Sequence, residues 1–443
     1  MAVRFKAMRA GASSLASVIG MAAVVTGAHV GAGSAQALDA GAVPVAERWT
    51  ATFATAARYY SWSGTRGMPG NGSTSPGSGT LVHVPFALQL LGQPTDDFRV
   101  ELLARGGWVS ARQDTPGLSG EVGTFTDTLA SGTVTYLGFG GLQPFVSMDI
   151  NLPTGRSALF GSAANARMDP DLVDIDIFGE GWNIGPSIGA NIAVTDRLMA
   201  TLAAGYTWRG VYDREISLAA LTSERNNQQL TRVDPGDLFT VSGALAYEGG
   251  PWTAKLSGAV WTETATLENG APLFRAGTTY QAGLTIDHAW QNGWGVSTLT
   301  GNYWNRGNND VRFLGAAALA VEPFNTNSNV YSAGFQHLWQ MGDFWFGPVG
   351  SVLYRDRNGY DLGTLQYVPA KLRYTAGVTA HLVRRNGLSL DLRAEHMWMH
   401  EGETTAINGQ MYSVLANGYV LNDAAPQRMS TGWRIGAGLS LKF

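Results

Sequence analysis

The chain has 443 residues, of which 30 are basic and 34 acidic, and only 14% of its residues are charged. It contains no cysteine, which excludes a disulfide framework and thiol chemistry, and its acidic balance argues against nucleic acid as a partner. Low charge combined with 57 glycines and 10% aromatic residues is typical of membrane β-barrels, which have many strands, tight turns and aromatic girdles.

The N-terminus has the pattern of a removable secretory signal. Three basic residues precede an apolar stretch over 15–25 and the sequence SAQA, which ends at Ala37; the bases are Arg4, Lys6 and Arg9. No later stretch offers the roughly 18 consecutive apolar residues of a membrane helix. We therefore predict a signal peptide (1–37), a periplasmic N-terminal segment (38–48) and a transmembrane β-barrel (49–443).

Segments that are apolar at every second position recur along the chain and predict β-strands with one apolar face. The segment 198–209 alternates in this way, as do 280–287 and 388–393. The chain ends in WRIGAGLSLKF, whose last apolar residue is Phe443. A soluble β-solenoid is the alternative, but no sequence repeat of about 20 to 50 residues is visible.

Short and long connections alternate strictly between these segments. The short turns are predicted at 92–97, 139–142, 194–197, 248–251, 290–293, 340–343 and 384–387. The longer polar segments lie near 64–79, 112–126, 153–183, 211–236, 268–274, 306–327, 357–369 and 401–428. This order predicts an all-β, up-and-down antiparallel transmembrane β-barrel of about sixteen strands, with short periplasmic turns and long extracellular loops.

Two features leave fourteen or eighteen strands open as alternatives. The predicted fourth strand, 127–139, alternates poorly. Prolines, which are rare inside strands, also fall within three predicted strands, at Pro144, Pro186 and Pro348.

The terminal strand and the pattern of turns and loops resemble bacterial outer-membrane β-barrels over the whole mature chain. The resemblance implies a location in the outer membrane of a Gram-negative bacterium. It also implies contact with outer-membrane lipid and lipopolysaccharide, and it is compatible with a homotrimer. By the same analogy, Phe443 would be the signal that the barrel-assembly machinery reads.

A narrower resemblance covers residues 143–214. The sequences FVSMDINLPTG and GEGWNIGPSIGANIAVTDRLMATLAAGYTWRGVYDR are similar to a strand, loop and hairpin of the phenol meta-pathway outer-membrane family. They are more distantly similar to fatty-acid-type transporters of hydrophobic compounds. This resemblance implies uptake of small, partly apolar compounds.

An acidic loop lies within the third long segment, in the sequence MDPDLVDIDIFGEG at 168–181. Its acids are Asp169, Asp171, Asp174, Asp176 and Glu180. Three interpretations remain open: a loop facing solvent or lipopolysaccharide, a loop folded into the lumen, and a calcium site built from hard oxygen ligands.

The alternation also predicts which charged side chains face the lumen. The predicted pore-lining residues are Arg58, Arg99, Arg105, Arg209, Arg373, Asp391, Arg393, Glu395 and Arg434, and Lys255 and Lys371 share this face. Most of the bases fall on the first, third and last three strands, which become neighbours when the barrel closes. They either form structural ion pairs or select solutes by charge.

The sequence offers little support for catalysis or metal binding. His396 and His400 would be about 13 Å apart on a strand, too far to share a metal. No common hydrolase or nucleotide-binding motif is present, and we expect no cofactor. A lipid hydrolase with Ser and His on neighbouring strands remains an alternative.

We therefore expect an outer-membrane channel that passes small solutes by passive diffusion. One alternative is a transporter of hydrophobic or aromatic compounds with a lateral exit, which would have a lumen plug and a kinked strand. Another is a surface protein for adhesion or export, which would bind through its long loops.

Overall fold

The computed structural model is a closed antiparallel β-barrel of sixteen strands. It describes residues 49–67, 74–115, 118–173, 175, 177–214, 230–312, 318–358, 369–384, 387–402, 411–415, 418–422 and 428–443. The predicted signal peptide and N-terminal segment lie outside these residues. None of the helices formed by the described residues is long and apolar enough to span a membrane.

Each barrel strand pairs with its neighbours in the chain, and the first strand pairs with the last. The strands are β1 (Trp49–Gly67), β2 (Thr74–Thr95), β3 (Phe98–Thr115), β4 in two segments, β4a (Leu118–Phe125) and β4b (Thr128–Tyr136), β5 (Leu142–Leu152), β6 (Asn183–Thr195), β7 (Leu198–Arg209), β8 (Leu238–Gly249), β9 (Trp252–Glu263), β10 (Thr279–Ala289), β11 (Val296–Arg306), β12 (Val330–Met341), β13 (Phe344–Arg355), β14 (Lys371–Val383), β15 (Leu388–Glu401) and β16 (Arg428–Lys442). Closure joins Thr52 to Lys442 and continues to Gly64 opposite Ser430. All backbone edges are therefore paired along the barrel seam, which is what a membrane requires of a spanning sheet.

The predicted alternation and the short turns are confirmed, although Arg385 and Asn386 of the turn at 384–387 lie outside the described residues. On β7, Leu202, Tyr206 and Trp208 are 59%, 45% and 49% exposed and point outward. The three strand prolines also point outward. Pro348, for example, lies directly opposite Val378, which is 62% exposed on the outer face. The segment 143–214 forms a strand, a loop and a hairpin, as its resemblance implied.

Strand β4 differs from the prediction because it contains a bulge. Trp108 of β3 lies opposite Phe125 and Arg105 lies opposite Leu129, so two residues of β3 face three of β4. The extra residue reverses the alternation, which explains why the sequence of this strand alternates poorly. The prediction of a long loop over 112–126 is also wrong, because residues 118–125 form β4a and pair with the upper end of β3.

Four other long connections, near 211–236, 268–274, 306–327 and 401–428, contribute small structural elements. A six-stranded sheet is formed by Tyr212–Arg214, Thr231–Asp234, Thr266–Glu268, Ala271–Arg275, Asp310–Val311 and Ala320–Val321. A separate hairpin is formed by Met411–Leu415 and Gly418–Asn422. The polar composition of these places predicts long connections but does not reveal their short strands.

Candidate functional site

The connection between β5 and β6, residues 153–182, packs against the inner face of the barrel, and we call it the inner loop. Its side chains Leu159, Leu172, Val173 and Phe178 are each at most 1% exposed. They belong to one apolar cluster with inward-facing residues of the wall, namely Tyr60, Trp62, Leu81, Val109, Ala111, Val122, Met397 and Met399. The hydrophobic effect therefore holds the loop inside the barrel.

A glycine makes room for the closest contact between the inner loop and the wall. The indole nitrogen of Trp62 donates to the sulfur of Met168 at 3.2 Å. Opposite Trp62, a Cβ atom at Gly79 would come within 2.4 Å of that nitrogen and 2.8 Å of the sulfur. Only a residue without a side chain fits at this position.

Charged residues of β13 and β14 tether the inner loop from the other side. The Lys371 ammonium lies 2.5 Å from a carboxylate oxygen of Asp169 and 3.4 Å from one of Asp171. Arg355 donates to Asp171 at 3.1 Å, and Arg373 donates to its backbone carbonyl. All three bases thus contact the loop from inward-facing positions.

A third set of contacts closes the base of the inner loop at the bulge of β4. The carboxylate of Asp127 accepts hydrogen bonds from the backbone amides of Gly155 (2.8 Å) and Glu180 (2.6 Å) and from the amide of Asn151 (2.8 Å). One carboxylate therefore holds both ends of the loop. Sequence reasoning missed Asp127, although the failed alternation of its strand marked the place.

The acidic loop, 168–181, is part of the inner loop, and its described acids divide between these contacts. Asp169 and Asp171 form ion pairs with bases on the inner face of the barrel wall. Of the three interpretations, a loop folded into the lumen is the one that agrees with these contacts. Glu180 lies at the loop base, while Asp174 and Asp176 lie outside the described residues. No group of three potential metal ligands occurs among the residues that the structure describes.

Burial raises the pKa of Glu180, and the neighbouring Asp127 adds to the increase. Arg209, Arg214 and a hydrogen bond with Asn183 act in the opposite direction. The Glu180 carboxyl is therefore a titratable group at the point where the inner loop leaves the wall.

The nine predicted pore-lining residues all lie in barrel strands, at positions that alternate with outward-facing residues. Arg209 follows the exposed Trp208, Arg434 follows the exposed Trp433, and Arg393 follows Leu392, which is 58% exposed. Their side chains share the inner face. A role in lining a conducting pore stays a prediction.

Most of these charges have a partner on the inner face. Arg393 donates two hydrogen bonds to Glu395, at 2.7 and 3.0 Å. Arg209 donates to Glu263 at 2.5 Å, and His381 pairs with Asp391.

Two inward arginines differ from the others. Arg58 and Arg99 form no ion pair with any residue that the structure describes. The predicted basic wall therefore contains both neutralised and free cations.

The C-terminal residue Phe443 exchanges backbone hydrogen bonds with Ala51, at 2.8 and 3.2 Å. Its side chain is 75% exposed on the outside of the barrel seam. The proposed role of Phe443 in assembly stays a prediction.

No family model matches the chain. No curated protein matches it. Among solved structures it resembles an outer-membrane channel from Pseudomonas putida F1, with 16% identity over 64% of this chain and 94% of that chain and a TM-score of 0.37.

It also resembles a BenF-like porin from Pseudomonas fluorescens Pf-5, with 12% identity over 90% of this chain and 99% of that chain and a TM-score of 0.39. The third is a Pseudomonas aeruginosa FadL homologue, with 8% identity over 89% of this chain and 90% of that chain and a TM-score of 0.40. At these identities the similarity is one of β-barrel architecture.

Proposed function

We propose that this protein is a channel for small solutes in the outer membrane of a Gram-negative bacterium. The observation that carries the proposal is a closed sixteen-stranded barrel with an apolar outer face and charged residues on its inner face. About sixteen strands enclose an aqueous channel, whereas eight would be filled by side chains. Transport of this kind needs no catalytic residue or cofactor.

The inner loop narrows the upper part of this channel. It occupies the side formed by β1 to β4a and β13 to β15, where its apolar and charged contacts lie. Solutes would pass beside the loop and then along the basic wall below it. Small size and charge, more than shape, would then decide what passes.

Conductance in a planar bilayer tests the proposal. The purified barrel, shown to be folded by heat-modifiable migration on a gel, should produce discrete current steps in potassium chloride. A heat-denatured sample of the same protein is the control. A folded barrel that leaves the bilayer current at the protein-free level would contradict the proposal.

Transport of hydrophobic compounds is a second candidate, because strand β4 of the closed barrel is irregular. Among the described residues β4a pairs only with β3, whereas β4b pairs with both β3 and β5. The inner face of β4a packs against residues 161–166 of the inner loop, which approach closely at Gly120. This alternative predicts a lumen plug and a kinked strand, and the inner loop and the bulge of β4 are the features that support it.

Uptake into lipid vesicles distinguishes the two candidates. A channel would swell vesicles in isotonic solutions of small sugars or amino acids. A lateral transporter would leave them unswollen and instead accelerate the transfer of a lipophilic fluorescent probe into the bilayer. Protein-free vesicles provide the reference for both measurements.

A further inference from the structure

Three inward-facing arginines surround one glycine on β16. Arg58 of β1 and Arg393 of β15 both lie directly opposite Gly436, one on each side. Arg434 precedes Gly436 by two residues and faces the same way. Since neighbouring strands are about 4.8 Å apart, the two flanking arginines start about 10 Å apart, within reach of one small ligand between them.

The space in front of Gly436 is open. A Cβ atom placed on Gly436 would meet no other heavy atom within 4 Å. By contrast, a Cβ atom on Gly438, the next inward glycine, would lie 3.4 and 3.6 Å from atoms of Asp391. The opening is therefore local to the row of arginines.

The arginines around Gly436 are not fully neutralised. Arg393 is bound to Glu395, which also accepts a hydrogen bond from Thr375, yet the Arg393 side chain remains 45% exposed. Arg434 lies over the ring of Tyr60, at 5.6 Å from its centre, and is attracted by Glu395, which lies directly opposite it on β15. Arg58 makes no hydrogen bond or ion pair with the described residues.

The carboxylates nearby leave an excess of positive charge. Three arginines face two carboxylates: Glu395 attracts both Arg393 and Arg434, and Asp391 lies one row further along the wall, hydrogen-bonded to His381. A half-buried guanidinium without a partner, beside open space, has unused donors that an anion would satisfy.

We propose that Arg58, Arg393 and Arg434 form a binding station for small carboxylate solutes at Gly436. The station rests on the proposed channel function and specifies its substrate class. Guanidinium groups bind carboxylate and phosphate oxygens through paired hydrogen bonds, which chloride cannot accept in the same geometry. A carboxylate would therefore compete with chloride for the wall and be held there briefly during passage.

The test measures how succinate reduces chloride current through single channels in a planar bilayer. Succinate should reduce the wild-type current, and Arg58→Ala should raise its half-maximal concentration by about tenfold or more, as expected for a lost charge-assisted hydrogen bond. Arg58→Lys keeps the positive charge but loses the paired hydrogen bonds of the guanidinium group, so it should also weaken the block by succinate.

Gly436→Leu tests the space without changing any charge, and it should weaken the succinate block as well. Ala244→Leu adds comparable bulk to the inner face of β8, the strand diametrically opposite β16, and should leave the block unchanged. Heat-modifiable migration confirms that each variant is folded.

The outcomes separate the two proposals. A channel that conducts but is blocked equally in wild type, Arg58→Ala and Gly436→Leu would overturn the station and leave the channel function standing. An absence of conductance in the folded wild type would overturn the channel itself. Stronger block by inorganic phosphate than by succinate would overturn the assignment to carboxylates.

Discussion

The carboxylate of Asp127, in the bulge of β4, accepts a hydrogen bond from the backbone amide of Glu180 at 2.6 Å. Its other oxygen accepts the amide of Gly155 at 2.8 Å. These amides stand at the two ends of the inner loop, 25 residues apart in the chain. The irregular part of the barrel wall is thus also the part that fixes the loop base.

We expect Asp127→Ala to loosen the inner loop, since a carboxylate that accepts three hydrogen bonds is lost. Bonds to charged groups contribute about 1.5 to 3 kcal/mol each, so the loop base should lose about 3 kcal/mol or more. Limited proteolysis within 153–182 and a noisier, larger single-channel conductance would report this. Asp114→Ala, at an exposed acid paired with Arg112, is the control. Equal protease resistance of both variants would contradict the prediction.

Lys371→Met should release the inner loop from β14. The ammonium group lies within 4 Å of three carboxylates, those of Asp169, Asp171 and Glu401, and its side chain is only 12% exposed. Removing one partner of a buried ion pair typically costs about 3 to 5 kcal/mol, because the remaining charges stay buried. Protease cleavage within the loop and channel conductance should both increase.

A second substitution tests whether the effect of Lys371→Met comes from the ion pairs. Adding Asp169→Asn should recover part of the lost protease resistance, because one unpaired carboxylate is removed. Lys255→Met is the matched control, since Lys255 faces inward on β9 and has no ion pair among the described residues. If the double variant is as sensitive as the single one, the ion pairs do not hold the loop.

The barrel could be predicted from the sequence because its signals are local. Alternating residues fix the face of each strand, and tight turns fix the hairpins, as the exposed Leu202 and Trp208 on β7 show. Even the count of sixteen follows from connections between adjacent segments. No information from distant parts of the chain was needed.

The inner loop could not be placed because its contacts are distant in sequence. Lys371 and Asp169 are 202 residues apart, and both composition and spacing are equally compatible with a loop in solvent. The bulge in β4 was missed for a related reason. One extra residue shifts the alternation, and in sequence this looks the same as the end of a strand.

Glu180→Gln should stabilise the protein increasingly as the pH rises. Burial raises the pKa of Glu180 in the folded state, so its protonated form is favoured by folding. That contribution is fully present below the ordinary pKa of a glutamic acid, about 4.3, and is lost as the pH rises through the higher folded pKa. Urea unfolding in vesicles from pH 4 upward would show the advantage of the variant growing with pH. A constant difference would contradict the prediction.

Arginine should be tolerated on one face of β10 and not on the other. Leu284 points outward near the middle of the strand and is 39% exposed, while its neighbour Thr285 points inward. An arginine at the membrane midplane costs about 2 to 4 kcal/mol. We expect this loss in urea unfolding for Leu284→Arg and little loss for Thr285→Arg. Equal losses would show that the outer face of this strand does not contact lipid.

The basic wall should give the channel a weak preference for anions. Fixed arginines raise the local concentration of anions within about 8 Å at physiological salt. Glu395 opposes this by pairing with Arg393 and attracting Arg434, whereas Arg58 has no hydrogen bond or ion pair among the described residues. Replacing Arg58 and Arg434 together by alanine should therefore move the reversal potential across a potassium chloride gradient towards that of an unselective pore. An unchanged reversal potential would show that these two arginines do not face the permeating ions.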